Sequence, residues 1–301
     1  MRPVGAILGG DDSWDIGLRL FAAVHHLVLT GAAPSALSGA WDDFVAALHE
    51  HSEPLGRIFR EQGIQTNETQ RCSALLPAFL MLAAETRLPL DLIELGPSAG
   101  LNLVLDGYRY KYSQGAFGEP DARPAFDVVE RGEVPAHLLE TPLEIRSRRG
   151  IDLSPIDLSF ADDVMLLHSF LWPGLWKRAE RLDQAIETFR TTPRPPELIR
   201  GDYVEALPGL LAERPGDALT VVFQTASTGY LQQERYDVLR RSLAEAGADG
   251  RPLAWVSSRR REERELESEE GWELEVRLWP EPARLVARAD FHGNWLDWLA
   301  P

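Results

Sequence analysis

Residues 90–102 constrain the fold of this chain more than any other segment. A short apolar run ends at an acid, Glu94, and is followed by a turn that contains Gly96 and Gly100. An amphipathic segment begins directly after the turn. This order predicts a strand, a tight turn and the N-terminus of a helix, which is the repeating unit of α/β proteins.

Two kinds of site use this layout. A nucleotide-type cofactor can lie on such a turn, because glycine lets the backbone approach a ligand and a helix N-terminus offers free N–H groups. The segment from Gly96 to Gly100 also matches the Gly-x-Ser-x-Gly turn of serine hydrolases, in which Ser98 would be the nucleophile. The rest of the sequence bears on the choice between these alternatives.

Composition excludes some classes of partner. The net charge of −16 disfavours binding to nucleic acid or to an anionic membrane, because both need basic patches. No apolar run reaches the roughly 18 residues that a membrane helix needs, and the N-terminus does not read as a signal peptide. The single cysteine, Cys72, suits a reducing compartment. We therefore expect a cytoplasmic protein that acts on a small molecule; its oligomeric state is left open.

The hydropathy pattern changes near residue 89. Residues 13–86 have apolar residues at helical spacing, and no convincing strand precedes residue 90. Strand-like and helix-like segments then alternate, which predicts a parallel sheet with helices on both faces. We expect an N-terminal helical cap over residues 1–88 and an α/β domain over residues 89–301. The predicted strands of that domain are 91–95, 143–147, 197–200, 218–224 and 252–257.

The C-terminal part departs from this alternation. Residues 272–278 and 283–288 form two strand-like segments separated by a proline-containing turn, which predicts an antiparallel hairpin. A charged run at residues 259–270 precedes the hairpin, and we expect it to be a solvated helix or loop. The sheet is thus predicted to be mostly parallel and to end in an antiparallel pair.

Such a sheet resembles the Rossmann-like fold of class I methyltransferases that depend on S-adenosylmethionine (SAM). Several sequence phrases also resemble domain-of-unknown-function family 2332, a bacterial family. That resemblance implies a methyltransferase-like domain with a helical N-terminal part. The phrases that carry it are Glu94–Leu103, Asp106–Tyr112, Arg149–Pro155, Trp172-Pro173 with Arg178, and Phe291–Gly293.

The methyltransferase resemblance implies a set of cofactor-binding residues. The family signature is acid-x-Gly-x-Gly-x-Gly; Glu94, Gly96 and Gly100 match it, and Ser98 replaces the middle glycine. The resemblance implies that Asp152 binds the ribose hydroxyls, provided that residues 111–142 are an insertion. If the strands are numbered differently, an acid between residues 119 and 130 takes this role instead. It further implies that Asp202 lies near the adenine, although this residue is equally a candidate N-cap.

Four further residues complete the candidate site. Gln224 ends a predicted strand, and the resemblance implies that it faces the methyl-transfer region. His292, His168 and Tyr108 are the candidate bases that would take a proton from a methyl acceptor. Each also has a structural interpretation. His292 could hold the C-terminal segment in place, His168 could be a buried core histidine, and Tyr108 could pack against the core. The histidines show no metal-ligand spacing, so we expect no metal.

The sequence therefore supports three functions. The first is SAM-dependent methyl transfer to a small molecule, and the second is a non-catalytic methyltransferase-like protein that binds a nucleotide-like metabolite or a protein partner. The third is a serine hydrolase with Ser98, Asp202 and His292 as its triad. The helical character of residues 1–89 and the proline before Ser98 count against the hydrolase.

Overall fold

The central strands are continuous apolar runs, as a sheet covered on both faces requires. Three strands, Leu90–Leu95, Leu219–Gln224 and Leu253–Ser258, are buried at every position. The computed structural model describes residues 5, 7–9, 13, 15–61, 63–264 and 271–301. The strands are β1 (Leu90–Leu95), β2 (Arg109–Tyr112), β3 (Gly115–Phe117), β4 (Ala125–Asp127), β5 (Glu130–Gly132), β6 (Ile145–Asp152), β7 (Glu197–Arg200), β8 (Leu219–Gln224), β9 (Leu253–Ser258), β10 (Gly271–Leu278), β11 (Arg284–Asp290) and β12 (Leu296–Trp298).

The helices alternate with the strands only after β1, as the sequence predicts. Among the described residues they are α1 (Ile16–Leu29), α2 (Trp41–Glu50), α3 (Ser52–Glu61), α4 (Cys72–Thr86), α5 (Ala136–Leu139), α6 (Ala161–Ser169), α7 (Trp176–Thr191), α8 (Tyr203–Ala212) and α9 (Gln233–Gly247).

The chain divides into two compact units. The first comprises Met1–Asn67 with Ile156–Asp183, and the second comprises Glu68–Pro155 with Gln184–Pro301. The units therefore group α4 with the sheet and α6 with the N-terminal helices, whereas the sequence analysis divides the chain after residue 88.

The first unit is a helical cluster around its own apolar core. Val24 and Leu27 on one face of α1 pack with Leu55 and Phe59 of α3. Arg19 lies over the Phe59 ring, 4.3 Å from its centroid, and donates a hydrogen bond to the Phe59 carbonyl. These contacts explain the helical spacing of apolar residues in this part of the sequence.

The second unit is built on a nine-stranded sheet with the order β5-β12-β11-β10-β9-β8-β1-β6-β7. The five strands from β9 to β7 in this order are parallel, which confirms the predicted parallel sheet. The chain runs from β1 to β6 and β7 on one side, then returns to β8 on the other side of β1. The strand order thus reverses between β1 and β8.

The predicted C-terminal hairpin is confirmed as β10 and β11, but it does not end the sheet. β12 pairs antiparallel with β11, and β5 pairs parallel with β12. The Leu296 N–H donates to the Val129 carbonyl at 2.8 Å, and Arg131 lies over the Trp295 ring. The sheet therefore ends at a strand that precedes its neighbour by more than 160 residues.

Helices cover both faces of the parallel strands. Leu207 of α8 and Leu239 of α9 belong to one core cluster with Ile93 and Val222 of the sheet. The rings of Phe79 in α4 and Phe223 in β8 meet edge to face, with centroids 5.2 Å apart. The apolar continuity of β1, β8 and β9 is explained by this double coverage.

Two sequence predictions of helices are wrong in detail. The helix predicted at 100–111 is a short 3-10 segment over Leu101–Gly107 followed by β2. Tyr110 and Tyr112 are buried while Lys111 is exposed, which is the two-residue period of a strand. The helix predicted over 162–190 is interrupted near Trp172-Pro173 and forms α6 and α7; proline favours such a break because it lacks the backbone N–H that an interior helical residue donates.

Candidate functional site

Four predicted cofactor residues lie at one edge of the large sheet. Glu94 is near the end of β1, Asp152 ends β6, Asp202 follows β7, and Gln224 ends β8. Parallel strands end at the same edge, and ligands of open α/β sheets bind where the strand order reverses. In this sheet that point is between β1 and β8, next to the turn that follows β1.

The turn after β1 is held in a left-handed conformation at three positions. The φ angles are 70° at Gly96, 55° at Ser98 and 77° at Gly100. The Ser98 N–H donates to Oδ2 of Asp152 at 2.9 Å, and the Gly96 N–H donates to the Ile151 carbonyl at 2.9 Å. The turn is therefore bonded to the end of β6, and Ser98 adopts a φ that glycine adopts at lower cost.

Asp152 organises the end of β6. Its Oδ1 accepts a hydrogen bond from the Ser154 N–H at 2.8 Å, while Oδ2 accepts the bond from Ser98. A carboxylate offers about four acceptor positions, so these two backbone bonds leave acceptor capacity for hydroxyl groups. The side chain is partly exposed.

Gly96 is required by packing as well as by its φ angle. A β-carbon at this position would lie 2.6 Å from Cβ of Ser227, in the segment that follows β8. Ser227 itself donates from Oγ to the Leu95 carbonyl at 2.5 Å. This glycine lets two chain segments approach each other, and a larger residue here would disturb the turn itself.

Glu94 is a buried acid at the base of the turn. Its Oε1 accepts a hydrogen bond from Nδ2 of Asn102 at 2.9 Å, and Asn102 in turn accepts one from the Cys72 thiol. Burial raises the pKa of Glu94 to about 8. Among the described residues, neither Glu94 Oε2 nor Ser98 Oγ has a hydrogen-bond partner, although both atoms are buried. Such orphaned polar atoms mark unmet hydrogen-bonding capacity next to the turn.

Asp202 and Gln224 both have structural partners. Asp202 caps α8 by accepting from the Val204 N–H at 2.9 Å, as the sequence allows, and it also pairs with Arg235. Gln224 is buried, donates to the Ser258 carbonyl at 3.1 Å and accepts from the Ser258 hydroxyl. These contacts place both residues at the edge of the site, and their roles toward a cofactor stay predictions.

The three candidate bases do not form one cluster in the contacts that the structure shows. Tyr108 is fully buried, and its hydroxyl donates to the Leu101 carbonyl at 2.7 Å. Burial raises the pKa of this phenol well above its usual range. We therefore assign Tyr108 to the core, because an enclosed, hydrogen-bonded hydroxyl does not reach a substrate.

The two histidines differ in their surroundings. His168 lies in α6 of the first unit, with its Nε2 2.9 Å from Oδ1 of Asp183. His292 is exposed, lies two residues after the end of β11, and its backbone N–H donates to Asp290. Of the two, His292 lies on the unit that carries the turn.

The proposed serine hydrolase triad is not assembled among the described residues. Ser98 Oγ lacks any hydrogen-bond partner there, so it has no bonded histidine. Asp202 is committed to Arg235 and to the cap of α8. A nucleophilic serine needs a base within hydrogen-bond reach, and the base needs an orienting acid.

The structure also reveals a cleft that the sequence analysis missed. It has a volume of about 160 Å³ and lies beside the ends of β8 and β9, with Thr225 and Ser258 in its wall. The arginines that line it are Arg71, Arg259, Arg260, Arg261 and Arg264. Four of them come from the charged run that was expected to be solvated; residues 265–270 of that run lie outside the described residues. The sequence signal that could have predicted this cleft is the group of arginines that directly follows the apolar strand β9.

Two other kinds of feature, a metal site and a membrane-spanning helix, are absent from the described ranges. No group of three or more His, Cys, Asp or Glu side chains there is arranged to hold a metal ion. No helix in the same part of the chain is long and apolar enough to cross a membrane.

The fold and the strand-end site define an α/β protein with a large, mostly parallel sheet and a polar edge at its reversal point. The chain belongs to domain-of-unknown-function family 2332, described as uncharacterized proteins conserved in bacteria, which it matches over residues 9–298. No curated protein matches the chain.

One solved structure with detectable similarity is protein LPL1258 from Legionella pneumophila, a member of domain-of-unknown-function family 519. The two chains are 10% identical, the match covers 65% of this chain and 68% of the other, and the TM-score is 0.31.

Proposed function

We propose that this protein is a SAM-dependent methyltransferase that acts on a small molecule. The observation that supports it most is the bond between the turn after β1 and the acid that ends the neighbouring parallel strand. Ser98 N–H and Asp152 Oδ2 are 2.9 Å apart, next to the point where the strand order reverses. This is the position at which open α/β sheets bind nucleotide-like ligands.

The residues of the turn fit a nucleoside in their hydrogen-bonding chemistry. Asp152 retains acceptor capacity for a diol, and Glu94 Oε2 and Ser98 Oγ are polar atoms without described partners. Asp152 would hold the ribose hydroxyls, and Glu94, protonated at neutral pH, would offer a hydrogen-bond donor. The cofactor supplies an activated methyl group for transfer to an oxygen, nitrogen or carbon atom of the acceptor.

The contribution of the chain itself is to position the reactants. Parallel strand ends fix the polar groups on rigid elements, and orientation of two bound reactants accounts for much of the rate in such displacements. His292 is the remaining candidate base on this unit, because Tyr108 is enclosed. Its imidazole would accept a proton from an acceptor whose nucleophile carries one.

Calorimetric titration with SAM and with its demethylated product tests the proposal directly. We expect binding to the wild-type protein and about tenfold weaker binding to Asp152→Asn, because one acceptor oxygen for the ribose is lost. Asp157→Asn is the matched control, since Asp157 also accepts bonds from a following backbone N–H but lies in the first unit. Absence of SAM binding to folded wild-type protein would refute the proposal.

A second variant keeps the test valid if Asp152→Asn does not fold. Ser98→Gly restores the middle glycine of the methyltransferase signature and removes the side chain of the proposed hydrolase nucleophile. We expect this variant to bind SAM at least as tightly as the wild type. A serine-reactive fluorophosphonate that labels the wild type at Ser98, but not this variant, would support the hydrolase instead.

One observation favours the non-catalytic alternative. Ser227 packs so closely against Gly96 that it reduces the space for a ligand beside the turn. Under that alternative the protein binds a nucleotide-like metabolite without turnover. Incubation with methyl-labelled SAM and a small-molecule extract distinguishes the two. Labelled product indicates a methyltransferase, whereas SAM binding without labelled product indicates a binding protein.

A further inference from the structure

The arginine-lined cleft concentrates positive charge on an acidic protein. Five arginines and one glutamate, Glu262, contribute to its lining, although the net charge of the whole chain is −16. Thr225 and Ser258 add hydroxyl groups. Four of the five arginines are neighbours in the sequence after β9, and the fold adds Arg71 from the segment before α4.

The arginines are positioned by bonds that reach across the second unit. Arg71 donates from Nε to the Phe291 carbonyl at 2.8 Å and from Nη1 to Thr225 Oγ1 at 3.4 Å. Arg264 donates to the carbonyls of Arg259 and Gly271, both at 3.1 Å. Oxygen atoms of the surrounding chain thus hold both guanidinium groups in place at the cleft.

The arginines of the cleft differ in how their charge is balanced. Arg259 forms ion pairs with Glu273 at 3.2 Å and Glu275 at 3.0 Å. Arg264 forms no ion pair with any carboxylate of the described residues, and burial lowers its pKa. A partly buried cation without a carboxylate partner is stabilised by an anion that enters from outside.

The same cleft has an apolar wall. Trp272 and Phe291 line it, and the Arg264 guanidinium lies 5.3 Å from the centroid of the Phe291 ring. The volume of about 160 Å³ is similar to that of a cavity of about 150 Å³ that holds benzene. The cleft therefore suits a molecule that joins an apolar body of ring size to an anionic group.

We propose that the cleft between the ends of β8 and β9 binds a small organic oxyanion, a carboxylate or phosphate on a ring-sized apolar body. Arg71 and Arg264 bind the oxygen atoms, and Trp272 and Phe291 contact the body of the ligand. As a binding site the cleft is independent of the methyltransferase proposal. Its further role as the site of the methyl acceptor rests on that proposed function.

Calorimetric titration without SAM tests the site, with phenyl phosphate and benzoate as probes and benzyl alcohol as the neutral control. We expect one anion to bind per chain, and benzyl alcohol to bind at least about tenfold more weakly, because it lacks charge-assisted hydrogen bonds. Added salt weakens binding of the anions. Equal binding of benzyl alcohol and the anions would overturn the inference.

Matched variants locate the binding. Arg264→Gln is expected to weaken binding of the better anion about tenfold, and Arg71→Gln provides a second test if the first variant does not fold. Arg277→Gln is the control, because Arg277 also lies over an aromatic ring, that of Trp279, but does not line the cleft. Wild-type affinity in both Arg264→Gln and Arg71→Gln would refute the site.

The two proposals fail separately in these experiments. SAM binding that persists without any binding of phenyl phosphate or benzoate refutes the oxyanion site and leaves the methyltransferase proposal standing. Anion binding without SAM binding refutes the methyltransferase proposal and leaves the oxyanion site. If both bind, prior saturation with SAM shows by calorimetry whether the sites are occupied together.

Discussion

Glu94 is an acid that the fold keeps protonated at neutral pH. Its side chain is buried between Asn102 and the turn, and its pKa is raised from 4.5 to about 8 because burial penalises the charged form. A carboxyl group in this state donates a hydrogen bond, whereas an exposed glutamate at the same pH only accepts. This difference makes the stability of the protein depend on pH.

We predict that the contribution of Glu94 to the free energy of unfolding falls as the pH rises from about 4.5 to about 8. In this window the unfolded chain has lost the proton and the folded chain still holds it, so folding takes up a proton and is favoured by acid. Below the window both states are protonated, and above it both are ionised, so the contribution is constant there. Urea unfolding at a series of pH values measures it.

Glu94→Gln is the matched variant for this prediction. The amide keeps the acceptor oxygen for Asn102 and cannot ionise, so the variant should lose the pH-dependent part of the stability between pH 5 and 8. It should also be more stable than the wild type at pH 8. A variant whose pH profile matches that of the wild type would show that Glu94 ionises normally in the folded state.

Ser98 carries a conformational cost that a substitution can remove. Its φ of 55° is a glycine conformation, and its buried Oγ has no described partner. We predict that Ser98→Gly raises the free energy of unfolding by about 1 kcal/mol, because the left-handed strain and an unsatisfied hydroxyl are lost together. Chemical denaturation measures the change; destabilisation would mean that the hydroxyl has a favourable role in the fold.

At the scale of elements, Arg148 joins the segment after the turn to β6. Its Nη1 and Nη2 donate to Oδ1 and Oδ2 of Asp106, both at 2.7 Å, which is a bidentate ion pair. Nη1 also donates to the Leu103 carbonyl. The Arg148 side chain is almost fully buried. A planar guanidinium serves these acceptors at once, and an ammonium group does not.

We therefore predict that Arg148→Lys lowers the free energy of unfolding by about 2–3 kcal/mol, since a buried acceptor loses its partner. Arg200→Lys is the control, because Arg200 is exposed at the end of β7 and donates only from Nη1, to the Leu153 carbonyl at 3.1 Å and the Ser154 hydroxyl at 3.5 Å. Thermal or urea unfolding compares the two variants. Equal stability of both would show that the ion pair contributes little.

The elements that were predicted correctly owe their form to local pattern. β1, β8 and β9 are apolar throughout, so their burial on both faces could be read from the sequence. β2 was missed because its strand partners in the small sheet, β3 and β4, are short and carry little pattern. β12 was missed for the same reason, since three residues do not establish a period.

At the scale of the whole molecule, Gly293 ties the end of the sheet to the segment before α4. Its φ is 78°, and a β-carbon there would lie 2.4 Å from the Gln70 carbonyl oxygen. Gln70 also donates from its side chain to the Gly293 carbonyl at 3.0 Å. The contact joins residues more than 220 positions apart and holds Arg71 beside the cleft.

We predict that Gly293→Ala lowers the free energy of unfolding by about 2–3 kcal/mol, because a backbone clash adds to the strain of a left-handed alanine. Gly201→Ala is the control, since a β-carbon at Gly201 meets nothing within 4 Å. Urea unfolding measures both. If Gly293→Ala is as stable as the control, the backbone around Gln70 shifts to accept the β-carbon without a loss in the free energy of unfolding.

The strand-end site could be predicted where the order and direction of the strands determine the positions of its residues. Glu94, Asp152 and Gln224 were expected at one edge because parallel strands end together, and the structure places them there. The arginine cleft was predictable only in part, because four of its arginines form one run after β9, whereas Arg71 and Thr225 meet only through long-range packing. For Tyr108 the sequence allowed both a candidate base and a packed tyrosine, and the structure shows it fully buried.

The edge of the large sheet has a consequence for synthesis of the chain. β5 leaves the ribosome early, yet its partner in the large sheet, β12, follows more than 160 residues later. Until then the growing polypeptide carries β5 without that neighbour, and unpaired strands are prone to associate with other chains. Completion of this ladder therefore waits for the synthesis of β12, and a chain cut before Leu296 leaves β11 as an open edge.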